Sequence, residues 1–259
     1  MSKSLVNSII YFASILLLII IVQILSQITN NEIIFPSVFE IIGDFFKKLI
    51  TPKTYLYIGN TLLNLLLSLS ISFIIGMLLG ILGGLFNPVR IFLKPWVTIL
   101  RSIPVASSLV IIMILAGLSK TPFIISCLTI VPIIYEGFCN GIKGIDKEMM
   151  DVWKLNSRLN LHVIFRVHIP MILGFIKTSF ILALGLGIKV VIMSEYLAGD
   201  KNTLGSALMP AANMLDYTSV YSYSIIMIVL VLALEALPRL IAKLYNYCKF
   251  GIAIKKNAI

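Results

Sequence analysis

Long apolar runs separated by short polar breaks make up most of the chain. Residues 7–28, 58–86, 91–118, 122–139, 170–193 and 219–237 each approach or exceed the roughly 20 residues that an α-helix needs to cross a bilayer. The pattern predicts an all-α membrane protein of six transmembrane helices in a single domain, residues 1–259. The first run, within residues 1–30, follows Lys3 but is too long for a signal-peptide core and lacks a small-residue cleavage site, so it reads as an uncleaved anchor helix. Residues 35–55 carry a different signature. Ser37 is followed three positions later by Glu40, the order of a capping box, and Val38, Phe39, Ile41, Ile42, Phe45, Phe46 and Leu49 face away from Glu40, Asp44, Lys47 and Lys48. That predicts an amphipathic helix lying flat on the outer surface, ahead of a core over residues 58–250.

Within the second run, Asn60, Asn64, Ser68, Ser72, Gly76, Gly80 and Gly84 recur at every fourth position. Membrane helices associate where small residues let their backbones approach, so this stripe predicts a packing seam; chance spacing on a lipid-facing side is the competing reading. The third run is interrupted at Ser102–Ile103–Pro104. Proline withdraws a backbone donor, and the carbonyl it frees is tolerated at membrane depth only against protein or water. Arg101 beside this break either faces a bundle interior or snorkels to a nearby interface. Glu136, near the end of the fourth run, is expected at the interface, with Lys143 two turns on. Gly174, Ser179, Ala183 and Gly187 give the fifth run small faces, and Lys177 and Lys189 are expected to snorkel from its two ends. Residues 194–218 mix Leu204, Leu208, Met209 and Met214 with Gly205, Pro210 and Asn213, which suggests a short half-buried helix against the outer mouth.

The longest charged island spans residues 142–170. Ile145, Met149, Val152 and Trp153 recur at helical spacing, while Asp146, Lys147, Asp151 and Lys154 occupy the other faces. A short helix with an apolar face, set in water, needs a partner. Asn156 and Ser157 interrupt it, a second short helix follows, and Pro170 is suited to the first turn of the next span.

Composition sharpens this picture. The chain is 59% hydrophobic and 12% charged, with a mean hydropathy of +1.03, far from soluble usage, where about a quarter of residues are charged. The net charge of +10 is spread through the gaps between apolar runs rather than gathered with aromatics into a patch, which argues against nucleic acid. With six spans and both termini in the cytoplasm, Lys and Arg fall mainly inside, and only Lys47, Lys48, Lys53, Lys120 and Lys201 fall outside. Residues 142–170 are then cytoplasmic. Cys127, Cys139 and Cys248 are odd in number and read as apolar fillers, and His162 and His168 lack metal-ligand spacing, so neither metal nor disulfide is expected. The chain has no G-x-x-x-x-G-K-[ST] loop and no G-x-S-x-G elbow, which leaves little ground for a polytopic membrane enzyme, and the other competing class, a scaffold subunit, would not need a cavity-facing break like that at Arg101 to Pro104.

The charged island resembles the cytoplasmic coupling loop of ABC importer permeases, whose pattern is EAA, three residues, Gly, nine residues, then I-x-L-P. Setting the closing proline on Pro170 places Asp151, Val152 and Trp153 on the triplet and Ser157 on the glycine, with Trp153 and Ser157 departing from the small residues of the pattern. LRSIP at residues 100–104 and SEYLAGDKNTLGSAL at 194–208 are similar to segments of the nitrate, sulfonate and taurine permeases. The resemblance, from about residue 35 to 244, implies a type I importer permease that moves a small solute, anionic or thiamine-precursor-like, by alternating access. It implies two permease copies in lipid, separate ATPase subunits that bind the ATP, and an extracytoplasmic substrate-binding protein; the chain itself would carry no catalytic residue and no cofactor. Ile145, Met149, Asp151, Val152, Trp153, Ser157 and Pro170 would engage the ATPase, and Arg101, Ser102, Pro104 and Glu195 would line the translocation pathway.

Overall fold

The computed structural model of the chain describes residues 36–146, 161–199 and 201–256, together with Glu148 and scattered positions between Ile10 and Ile28; the side chains of Leu161, Arg239 and residues 241–256 lie outside that description. Every regular element among the described residues is helical. Of the expected first span, the positions described are helical, and Gln23 accepts a hydrogen bond from the Val38 amide.

Helix α1, Val38–Ile50, begins as the sequence predicts, with the Ser37 hydroxyl taking the Glu40 amide and the Glu40 carboxylate returning to the Ser37 amide. It packs on the start of the last helix, where Ser222 donates to the Ile41 carbonyl and Lys48 reaches both Asp44 and Ser219. Helix α2, Pro52–Leu85, runs unbroken for 34 residues and starts earlier than the apolar run alone indicates, because Pro52 opens it and Tyr55 and Tyr57 extend it into the interface. Helices α3, Asn87–Ser102, and α4, Val105–Ala116, replace the expected third span. They meet at 98°, at the interruption the sequence marks between Ser102 and Pro104. The cause is local: Ile103 and Pro104 both take extended backbone (ψ 125° and 130°), which the residue before a proline favours.

Helix α5, Thr121–Lys143, follows a single 3₁₀ turn, Leu118–Lys120. The helical stretch Leu161–Val163 then widens into a π-helix at Ile164–His168 and ends at Ile169–Met171. Ile172 breaks the regular backbone, so α6, Leu173–Ala198, starts after Pro170 and runs beyond the expected end, to a left-handed Gly199 (φ 64°) that closes it. Helix α7, Leu204–Asn213, is the expected short helix, with Thr203 and Ser206 forming its own capping box. Helix α8, Tyr217–Lys256, is preceded by Asp216, whose carboxylate accepts from the Ser219 amide; hydrogen bonding from Ser219 holds that carboxyl below its usual range.

The core is a three-helix unit of α2, α5 and α6, built on Leu65, Leu69, Ile130, Ile134, Phe138 and Ile188 among others. The four-residue stripe of α2 is its seam. Added Cβ atoms at Gly76, Gly80 and Gly84 would lie 2.7, 2.6 and 2.8 Å from the Cβ atoms of Ile134, Phe138 and Ile142, and Ser68 and Ser72 are buried on the same side. The opposite side of α5 meets α6 through Gly137, against Ser179, and Gly141, against Ile172 and Phe175. Of the small residues expected to matter on α6, Ser179, Ala183 and Gly187 are buried, while Gly174 meets nothing within 4 Å.

Four helices or helical segments among the described residues are long and apolar enough to cross a membrane, Pro52–Leu85, Leu118–Lys143, Leu173–Ala198 and Tyr217–Pro238, and the bent α3–α4 pair makes a fifth if it is one span. The sixth expected span is the first, ten of whose residues lie outside the described ones.

Candidate functional site: a charged corner beside the three-helix core

The α3–α4 corner puts Arg101 at the end of α3, where the guanidinium turns to α5 and pairs with the Glu136 carboxylate. Glu136, expected at the interface with Lys143 two turns on, is thus drawn into an inter-helix pair with Arg101. The pair is wet rather than sealed, with side chains 56% and 34% exposed. Two cavities adjoin it. One, of about 320 Å³, is lined by Arg101, Glu136, Asn140, Thr178 and Ser179 with apolar neighbours from α5 and α6. The other, of about 220 Å³, lies under the corner against Arg101, Ser108 and Thr129. Leu186 of α6 lines both. Ser102 returns its hydroxyl to the Thr98 carbonyl, and the Ser107 and Ser108 hydroxyls donate to the Pro104 carbonyl, so the hydroxyls around the break are satisfied within their own helices. Charge and cavity thus coincide at Arg101, beside the irregular backbone of Ile103 and Pro104, while Ser102 and Pro104 line neither cavity.

Glu195 sits elsewhere. It is wholly buried near the C-terminal end of α6, where its carboxylate accepts from Thr61 Oγ1 and Asn64 Nδ2 of α2, each at 2.8 Å, and from the Gly205 amide at 3.4 Å. Thr61 in turn accepts the Leu204 amide at 3.0 Å, and Asn60 donates to the Asn202 carbonyl. A carboxylate at the N-terminus of α7, tied to α2 and α6, fixes that short helix to the core. Thr61 and Asn64 are partners that sequence reading does not pair with Glu195; polar residues inside an apolar run were the only signal available.

Of the residues expected to couple to an ATPase, Ile145 packs partly buried on the three-helix core and Pro170 is exposed in the Ile169–Met171 turn. Met149, Asp151, Val152, Trp153 and Ser157 lie outside the described residues. Downstream, His168 is buried with Nδ1 near the Val163 carbonyl, a role in packing the wound segment. Among the described residues, no group of His, Cys, Asp and Glu is placed to hold a metal.

Membrane-length helices fastened by glycine seams, with a broken helix that presents charge to two cavities, define a polytopic membrane protein. Residues 72–246, well over half of the chain, match the family model described as the binding-protein-dependent transport system inner membrane component, and the chain belongs to that family of ABC importer permeases. No individual curated protein matches it. The match takes in α3–α4, the charged corner, residues 142–170 and Glu195, though not its α2 partners Thr61 and Asn64. The protein is accordingly a multi-pass permease component of the cell membrane rather than an enzyme, from a family that works with ABC ATPases and substrate-binding proteins.

Proposed function

We propose that this chain is the membrane permease of an ATP-driven importer similar to the nitrate, sulfonate and taurine group, working as a homodimer by alternating access. The family match over residues 72–246 carries the reading. The Arg101–Glu136 pair beside open cavities supports a pathway at the α3–α4 corner. Both termini lie in the cytoplasm, and residues 142–170 hang beneath the membrane, joining α5 to α6. Two separate ATPase subunits bind there, with Ile145, Met149, Asp151, Val152, Trp153 and Ser157 as the contact and Pro170 at the return to the membrane. ATP binds to the partner; closure of the ATPase dimer favours one of two permease conformations, and that differential binding is all ATP has to supply. A substrate-binding protein delivers the solute, a small anion or a thiamine-precursor-like molecule, from outside.

Trp153 provides the test. A large amphipathic side chain that fills a partner's pocket is a common binding anchor, so Trp153→Asp should cost about 2 kcal/mol or more of ATPase docking. Capture of an ABC ATPase subunit co-expressed with this chain, measured together with membrane yield, reads the effect. Weak capture at normal yield is the expected result. Full capture at normal yield would overturn the coupling assignment, and low yield would place Trp153 in the permease's own packing.

A further inference from the structure

Lys189 is expected from the sequence to snorkel from the end of a span, and the helix it belongs to overturns that. Helix α6 runs from Leu173 to Ala198, so Lys189 lies about 13 Å from its outer end and about 24 Å from its inner end at 1.5 Å per residue. With a 26-residue helix centred on a hydrocarbon core of about 30 Å, that is roughly 9 Å inside the nearer boundary, beyond the reach of a four-carbon stem. Lys189 is nonetheless exposed. Among the described residues no ion pair or hydrogen bond engages its ammonium. A charge at this depth does not face acyl chains, so the side on which it sits must hold water or a counter-charge.

That side is continuous with the charged corner. Leu182, Leu186, Lys189 and Met193 follow one another at helical spacing along one exposed strip, and Leu186, one turn inward from Lys189, lines both cavities at Arg101. Outward of it, Lys189 heads a groove of about 540 Å³ between α6 and α8, whose polar side chains besides Lys189 are Tyr196 and Ser224. Acids close to this strip are few. Glu136 is already paired with Arg101. Glu235 of α8 packs on Gly185, one turn inward from Lys189, where an added Cβ would lie 2.7 Å from its Oε1. The strip therefore presents one neutralised cation and one cation left without an ion pair among apolar walls. Such walls focus the field of a single charge and concentrate the opposite ion.

We propose that Lys189 is the residue that selects an anion, a carboxylate, sulfonate or nitrate group, in the translocation pathway. The proposal rests on the permease reading and narrows it, since a neutral or cationic pyrimidine gains nothing from an unpaired ammonium. A lipid phosphate, the other source of such an anion, stays at headgroup level and does not reach a site this far inside.

The test uses the full chain with Cys127, Cys139 and Cys248 replaced by serine and Met193→Cys added, one turn outward from Lys189. Membranes open to both sides are treated with two thiosulfonates of similar size, one carrying a sulfonate and one a quaternary ammonium. The anionic reagent should react about tenfold faster or more, with added salt eroding the difference. Lys189→Gln should abolish the preference and Lys189→Arg should keep it. No reaction with either reagent would mean that the strip faces lipid, and equal rates would mean that Glu235 neutralises Lys189; each overturns the proposal. The salt dependence gives the answer without a variant should Lys189→Gln fail to assemble. ATPase capture tests the coupling to an ATPase separately: capture retained with no charge preference sinks only the anion site, and capture lost with the preference intact sinks only the coupling.

Discussion

Glu195 is read from the sequence as a pathway residue because it falls in a segment similar to one in other permeases, yet its surroundings are those of a fastener. Its carboxylate gathers Thr61, Asn64 and the Gly205 amide in a site with no exposure. Removing it strands buried donors, so Glu195→Ala should cost about 2 kcal/mol or more, seen as a lowered melting temperature in detergent. Glu195→Gln keeps one acceptor oxygen and should lose less. An unchanged melting temperature for Glu195→Ala would mean the network is dispensable. The Arg101–Glu136 pair is the opposite case. It is partly exposed, so Glu136→Gln should move the melting temperature little, in keeping with the 0–1 kcal/mol typical of solvated pairs, and its effect should appear in transport. The sequence shows which residues are anomalous in an apolar run. It does not show which anomalies meet, because Thr61 and Glu195, or Arg101 and Glu136, are joined only when separate helices pack.

Among the elements, the glycine seam is legible and the corner is not. A four-residue repeat of small side chains is a local pattern, and the α2–α5 contact follows from it directly. Gly80→Ala should be destabilising by 1–3 kcal/mol, about the cost of overpacking, since the new methyl would press on both Phe138 and the Tyr135 carbonyl, at 2.6 and 2.7 Å. Gly43→Ala in α1 is the control. Nothing lies within 4 Å there, and the gain in helix propensity should raise stability by up to about 1 kcal/mol. Equal melting temperatures for the two variants in detergent would contradict the seam. The capping box of α1 was readable for the same local reason. The 98° bend between α3 and α4 was not, because Pro104 marks where a helix must stop but not the direction in which the next one leaves.

For the whole molecule, orientation is the property that composition carries and coordinates do not, since it depends on how basic residues divide between the two sides. Ser119→Cys, exposed in the turn before α5, should react with a membrane-impermeant maleimide on intact cells, whereas Asn87→Cys, exposed at the start of α3, should react only after the membrane is opened. The reverse result would invert the topology. Native Cys139 serves poorly for this purpose, because it is 2% exposed. The packing has one more outcome. Helices α2, α5 and α6 touch at backbone distance, and the Glu195 clamp ties α7 to two of them, while α3 buries no residue and α4 buries only Leu109. A unit packed that closely does not deform smoothly. A push delivered to the polypeptide between α5 and α6 would therefore tilt the three helices together along the roughly 39 Å of α6, as one oar with the loosely held corner as its rowlock, rather than bend any one of them.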